Sequence, residues 1–494
     1  MKKIRRTAAW LLTLLCASAV PALMTACADS AQTPQNDTAP ATDTTAVTET
    51  AAPSIYDVLP EKDYGGYEFR VLNNISDFAY TNFGSNGQTG ETLDDAIYER
   101  NAAVEEALNI TLTIKDMEYY DVISTVKNFV MAGEDAYDIY FNELHFVLND
   151  AMSGYLLDLS QVSTLNFDNP WWNKSAIESA TIGDPIYAAF GDLHLMYYEC
   201  FIPVVFNKQI LTELDLDDPY TLVRNGTWTL DVMAEMAKAA KNDVDGDGKW
   251  TVADRYGIGV YAHNITSLTT AAETDIITKD ADNMPVWNGL TEKFVDVYGK
   301  LVSTMFADKS DNVVFADGFI SENGSQILHV MMQSGQVLFY IEPVGSIKRL
   351  RDVDYEIGVV PTPKYDESQD GYRSYIFHGA SAMGIPKTNP DTERTGVVAE
   401  YLAAYSHETV MQTYFDETLD FKYIQDDEGQ AMLDIMFSNG TVELAAVYSW
   451  GDVITKIREA MSLGKTDIVS RVEKVSAKVS SAMEKTVTSF VDVE

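Results

Sequence analysis

Cysteine is scarce in this chain. Three occur in 494 residues: Cys16, Cys27 and Cys200. The first two lie near the N-terminus, so the remainder holds one thiol and no internal disulfide. Cys200 reads as a small buried hydrophobe. Cations are scarce too: 35 Lys and Arg stand against 75 Asp and Glu, a formal net charge of −40. That balance excludes nucleic acid, whose phosphates need Lys and Arg. It also argues against an anionic membrane surface. A neutral or cationic solute is left open. Histidines number six and are scattered, with no H-E-x-x-H. No G-x-S-x-G exists. Gly464-Lys465-Thr466 copies the end of a phosphate-binding loop, but Glu459 stands where its first glycine is required. Gly84, Gly87 and Gly90 are spaced three apart and make no dinucleotide fingerprint. No repeat of solenoid period is visible.

What is present begins at the N-terminus. Lys2, Lys3, Arg5 and Arg6 precede an apolar run, Ala8 to Leu23, that is short for a membrane span and ends in small residues. This is the pattern of an export signal over residues 1–26. Leu23-Met24-Thr25-Ala26-Cys27 resembles a bacterial lipobox, which makes Cys27 the expected lipidation site and mature N-terminus. Residues 27–62 then read as a disordered tether. Ala28 to Ala52 has no aromatic residue and one valine, too little apolar surface to offset ordering entropy. A coil of that length reaches roughly 25–30 Å. The expected location is extracytoplasmic, lipid-anchored to the cell membrane.

With 46% hydrophobic residues, the rest suits a globular core. A strand is expected at 67–72, a helix at 92–108, a strand at 110–114, a helix at 121–132 and a strand at 137–141. Thr229 is a plausible N-cap for a helix through Lys241. Strands are expected again at 256–260, 336–341 and 355–360, with helices from Thr392 onward. Alternating strands and helices predict an α/β fold.

The sharpest local motif runs from Asp243 to Asp254. Asp243, Asp245 and Asp247 occupy positions 1, 3 and 5 of the EF-hand calcium loop, and Gly248 occupies position 6. Lys249 would offer its backbone carbonyl, Thr251 sits at position 9 and Asp254 at position 12. Alternate residues of a tight loop point inward, which gathers the oxygens a hard cation needs. Ca2+ in a structural role is the expected cofactor. The competing reading is a solvated Asp/Gly turn. A strand pattern follows the loop, so no helix–loop–helix sensor is expected.

In order along the chain, several pieces carry a family resemblance. They are Gly90-Glu91-Thr92-Leu93-Asp94-Asp95-Ala96 with Glu99-Arg100-Asn101, the segment Asp138 to Leu159, and Asp184-Pro185-Ile186-Tyr187-Ala188. Phe206-Asn207-Lys208, Asp218-Pro219-Tyr220, Gly226-Thr227-Trp228-Thr229, Gly335 to Phe339 and Gly358 to Lys364 follow. Together with the lipobox and tether, the pattern resembles the extracellular solute-binding proteins (family 1, maltose-binding-protein-like) of ABC sugar importers.

The resemblance implies a two-lobed, periplasmic-binding-protein-like fold of the class II type with hinge crossing strands. Lobe 1 would be residues 63–200 with 382–443, and lobe 2 residues 207–372 with 444–494. It implies a small-molecule solute, a mono- or oligosaccharide, held in the interlobe cleft without catalysis. ABC permease subunits would be the protein partner. Ligand-binding candidates are taken from loops after strands: Asn73 and Asp77; Asn142, Glu143 and His145; Tyr197, Tyr198 and Glu199; Glu342; and His378. Trp450 corresponds in position to an aromatic that stacks on sugar in maltose-binding protein. Trp171-Trp172 reads as either a cleft wall or a packing anchor, with packing preferred. A secreted glycan-active enzyme and a surface glycan-binding module without transport are the alternatives. Acidic residues are too abundant for any one pair to argue for a glycosidase.

Overall fold

The computed structural model describes residues 55–491, apart from 77–78, 85–86, 88, 288, 307–312, 316, 318–319 and 421–426. The signal segment, Cys27, most of the tether and Asp77 therefore lie outside the described residues. Among those described, no helix is long and apolar enough to cross a membrane. The tail of the expected tether is docked. Ile55–Val58 forms a 3-10 turn, Leu59 is buried, the Pro60 carbonyl accepts from Tyr401 Oη, and Lys62 pairs with Glu393. A leucine and an aromatic partner are enough to order a stretch whose composition alone reads as coil.

Two sheets organise the chain. The strands used below are β1 (Tyr67–Ile75), β2 (Ile110–Glu118), β3 (Ile139–Glu143), β4 (Val204–Asn207), β5 (Tyr256–Val260), β6 (Val313–Phe315), β7 (Val337–Ile341), β8 (Ile357–Val360) and β9 (Ser381–Gly384). The first sheet has the order β9-β3-β1-β2 and the second β8-β4-β7-β5-β6. Both are mixed: β1 is parallel to β2 and β3, while β9 runs antiparallel to β3. In the second, β5 is parallel to β7 and β6, while β4 is antiparallel to β7 and β8. The chain passes between the sheets on hydrogen-bonded segments. Ile202 donates to the Tyr375 carbonyl, Phe377 to that of Cys200, and Val344 to that of Phe201.

Local sequence explains the elements. The helix α1 (Thr92–Leu108) buries Leu93, Ile97, Val104 and Leu108, one face at helical spacing. Asn109 ends it in the left-handed region, φ 49°, and β2 begins at the next residue. The helix α2 (Tyr119–Ala132) closes on Gly133 at φ 71°. The helix α3 (Leu144–Met152) follows β3 directly. Thr229 Oγ1 accepts from Val232 N and caps α4 (Leu230–Ala240). Strand β5 lies hard against α4: a Cβ at Gly257 would come within 2.2 Å of the Ala237 carbonyl oxygen, so glycine is required there.

The anchor reading of Trp171 and Trp172 holds in the structure. Both are buried. Their indole N–H groups donate to Glu400, at 2.7 and 2.9 Å, and Asn169 Nδ2 and Asn166 N donate to the same carboxylate. Two corrections concern strand ends. Strand β1 extends to Ile75, so Asn73 is not in a loop but fully buried within the sheet, donating to Thr81 O and Asp116 Oδ1. Asn142 is likewise inside β3, its side chain bonded to Tyr119 O and to the Glu143 amide. Trp450 is a third correction. Its ring is 1% exposed, lies 4.9 Å from Tyr448 at an interplanar angle of 9°, and donates through Nε1 to Thr486. It packs beneath the C-terminal helix Ile468–Val491 and offers no face to a solute.

Candidate functional site

Four segments meet where the sheets join. Strand β5 delivers Tyr261, His263 and Asn264 just past its C-terminal end, and its neighbour β7 delivers Glu342 and Pro343. The crossing before β9 supplies Phe377 and His378. From the first sheet, β3 ends on Glu143, and α3 brings His145 and Phe146. A pocket of about 160 Å³ is lined by His263, Asn264, His329, Glu342, Arg349 and Phe377, with Gln326, Pro343 and Ser346 completing its wall.

Aromatic rings continue from the pocket across the junction. Tyr261 stacks on His263 at 5.5 Å and 12°, and His263 meets Phe377 at 6.1 Å. Phe377 is 4.3 Å from His378, which meets His145 edge-on at 5.4 Å. His145 touches Phe146 at 3.8 Å, and Phe146 stacks on Tyr119 at 6.0 Å. Tyr120, 4.2 Å from Tyr119, is 65% exposed at the end of the run.

Burial sets the electrostatics. Glu342 accepts from Asn264 Nδ2 at 2.9 Å and from Ser346 Oγ at 3.3 Å, and desolvation pushes its carboxyl up to about 8. Burial also raises Glu143 to about 7. Desolvation drives His329 down to about 4 and His378 down to about 3, the latter aided by nearby His145, Arg458 and His263. His145 and His263 are lowered for the same first reason. At neutral pH the pocket therefore presents neutral imidazoles and a protonated Glu342. The buried His378 Nδ1 and Asn264 Oδ1 have no hydrogen-bond partner. Groups of this kind receive hydroxyls and ring faces well.

Of the candidate residues read from the sequence, Glu342 lines the pocket, while Glu143, His145 and His378 cluster next to it beyond Phe377. Glu199 sits at the margin, accepting from the Tyr80 amide and 3.9 Å from Lys348 Nζ. Tyr197 is fully buried among Phe190, Tyr198 and Phe201 and does not line this pocket. Tyr198 Oη donates to Asp192 Oδ1 and lines another, larger cavity of about 520 Å³ with Trp172, His407 and Phe437. That cavity shares no residue with the first. His263, Asn264, His329, Arg349 and Phe377 were not among the candidates. The strand at 256–260 was legible, so its following turn could have given His263 and Asn264.

The acidic loop joins α4 to β5. Its neck is pinned by paired backbone bonds between Asn242 and Arg255. Asp243, Asp245 and Asp247 each bring a carboxylate oxygen within 4.8 Å of the others. Gly246 and Gly248 are left-handed, φ 69° and 76°. They donate to the two oxygens of Asp243. Asp254 closes the loop from below: Oδ1 accepts from Val244 N, and Oδ2 from Thr251 N and Oγ1. Lys249 Nζ lies 3.3 Å from Asp247 Oδ2. Three converging carboxylates fit a hard divalent cation. Both oxygens of Asp254, like those of Asp243, accept backbone amides within the loop.

No family model matches the chain, and no curated protein matches it. Solved structures do. A cyclo/maltodextrin-binding protein complexed with maltotetraose is 15% identical, with a TM-score of 0.54 over 84% of this chain and 96% of that one. An ABC substrate-binding protein from Listeria monocytogenes, in complex with cycloalternan, is 15% identical, with a TM-score of 0.53 over 85% and 99%. A sugar transporter from Rhizobium etli in an open conformation is 12% identical, with a TM-score of 0.58 over 84% and 99%. The chain therefore has the two-lobed α/β fold of the periplasmic-binding-protein-like proteins.

Proposed function

We propose that this chain captures a carbohydrate in the pocket at the sheet junction and delivers it to an ABC importer without altering it. The observation that carries the reading is the pocket itself: ring faces, buried hydrogen-bonding groups and the ends of two second-sheet strands meet the crossing at Phe377 there, on the fold of proteins solved with maltotetraose and cycloalternan. Stacking on Phe377 and bonding to Asn264, Glu342 and Ser346 would suit a polyhydroxylated ring. The permease subunits are the expected protein partner. Cys27 would hold the chain at the outer face of the cell membrane, and Ca2+ in the Asp243, Asp245 and Asp247 loop would be structural.

A thermal-shift screen against mono- and oligosaccharides tests this. A true solute at a hundred times its dissociation constant stabilises the native state by about 2.7 kcal/mol. The sugar should be recovered intact, and Phe377→Ala should weaken its binding. Release of cleaved product would favour a glycan-active enzyme instead.

A further inference from the structure

We propose that the pocket beside Glu342 selects a saccharide that carries a carboxylate, with Arg349 in its wall as the counter-charge and Arg458, outside the lining, adding positive potential. The proposal rests on the carbohydrate reading above and narrows it to an acidic sugar.

Acids outnumber bases two to one in this chain, and its arginines are mostly claimed by them. Arg70 pairs with Asp135 and Asp138, Arg255 with Glu213, Arg373 with Asp275 and Arg394 with Asp391. Among the described residues, neither Arg349 nor Arg458 has a carboxylate within ion-pair distance. Arg349 lines the pocket, and its Nη1 donates to the neutral amide of Gln326. Arg458 Nε donates to Thr266 Oγ1 at 2.8 Å, with the Tyr375 phenol beside it. Its Nη2 is buried without a hydrogen-bond partner. Its charge is felt by His263 and His378. A ligand carboxylate would give Arg349, whose Nη1 donates to a neutral amide, a charge-assisted partner. Arg100 is also buried without a carboxylate, but it is 2% exposed, lies over the Phe83 ring and bonds to Ser406 and Phe83 O. It reads as core.

The acids facing the pocket do not cancel these cations. Glu342 holds its proton at neutral pH because burial lifts it to about 8. Asp317 is exposed and accepts from the Ala262 amide at 2.7 Å. Glu199 is balanced by Lys348. His263, His329 and His378 are neutral. The Arg349 guanidinium remains in the wall, beside a protonated carboxyl that can itself donate, and the Arg458 charge is felt nearby at His263 and His378. An amino sugar would meet repulsion there. The net charge of −40 points toward neutral or cationic solutes, but screening confines distant surface charge to roughly 8–10 Å, and the pocket's own groups decide.

Calorimetry on the full chain tests the assignment. The probes are D-glucuronate, D-galacturonate and digalacturonate, set against glucose, galactose and maltose. At least one acidic sugar should bind more than tenfold tighter than its neutral counterpart, and less tightly as salt is raised. Arg349→Gln should weaken that binding by roughly ten- to a hundredfold, and Arg458→Gln should weaken it by less. Arg349→Lys and Arg458→Lys should restore part of it, with melting curves confirming that each variant is folded. Neutral sugars binding equally well, or glutamine variants that keep the preference, would overturn the proposal and leave the carbohydrate reading standing. No response to any sugar would remove both.

Discussion

Asn264 Nδ2 donates to Glu342 Oε1 at 2.9 Å, tying the turn after β5 to the end of its neighbour β7. The bond belongs to a carboxyl that keeps its proton to about 8, against 4.5 ordinarily. The folded state therefore binds more protons between those values. This contribution to stability is complete below about 4.5 and is lost as pH rises through about 8. The lowered histidines act in the opposite sense, and their effect ends above their ordinary 6.5. Between pH 6.5 and 8, melting temperature should fall. Glu342→Gln should lessen the decline by an amount on the order of a kcal/mol. Glu443, also raised to about 8, and His407, raised by Asp192, keep some slope in the variant. Identical slopes would show that Glu342 titrates normally.

Glu400 makes a different demand. Glu400→Ala strands two buried indole N–H groups, at about 1–3 kcal/mol each, so chemical denaturation should show a loss of several kcal/mol. A loss under 1 kcal/mol would mean that water replaces the carboxylate.

Trp450→Ala empties a packed site and should cost about 3–5 kcal/mol of unfolding free energy. Trp450→Phe keeps the contact with Tyr448 and should cost less. In a solute titration, the Phe variant should bind at full strength. Weakened binding would return Trp450 to the ligand site.

For the acidic loop, millimolar calcium should raise the melting temperature, and a chelator should reverse the rise. Asp245→Ala removes one of the three converging carboxylates and should abolish the response. A response that survives would place the cation elsewhere.

Cys27→Ser should move the protein from the membrane fraction to the soluble one. Retention at the membrane would exclude Cys27 as the anchor.

Where a segment carries its own pattern, the sequence was sufficient. Helix α1 spans the expected Thr92–Leu108 because its apolar face repeats at helical spacing. Thr229 caps as expected because an N-cap is a local device. Strand β1 runs past its expected end because Asn73 and Asn74 look like loop residues. They are satisfied by Asp116, His194 and Ser381, two of them far away in the chain. The site divides the same way. Glu342 and His378 follow from strand ends, but Arg349 and Arg458 gain significance only from the absence of a nearby acid, which no local reading reveals. Trp450 was misplaced because an order of segments does not fix which side of a ring is covered.

The first sheet is completed by β9, which pairs with β3 although all five strands of the second sheet lie between them in the chain. Its outer strand arrives only when synthesis is nearly finished. Until Ser381–Gly384 appears, β3 has an open edge, and the nascent chain cannot complete its first layer. So distant a pairing is slow to form and leaves an aggregation-prone intermediate. If residues 1–26 act as the export signal expected of them, so late a pairing would keep the first sheet open while the chain is threaded through a translocation pore.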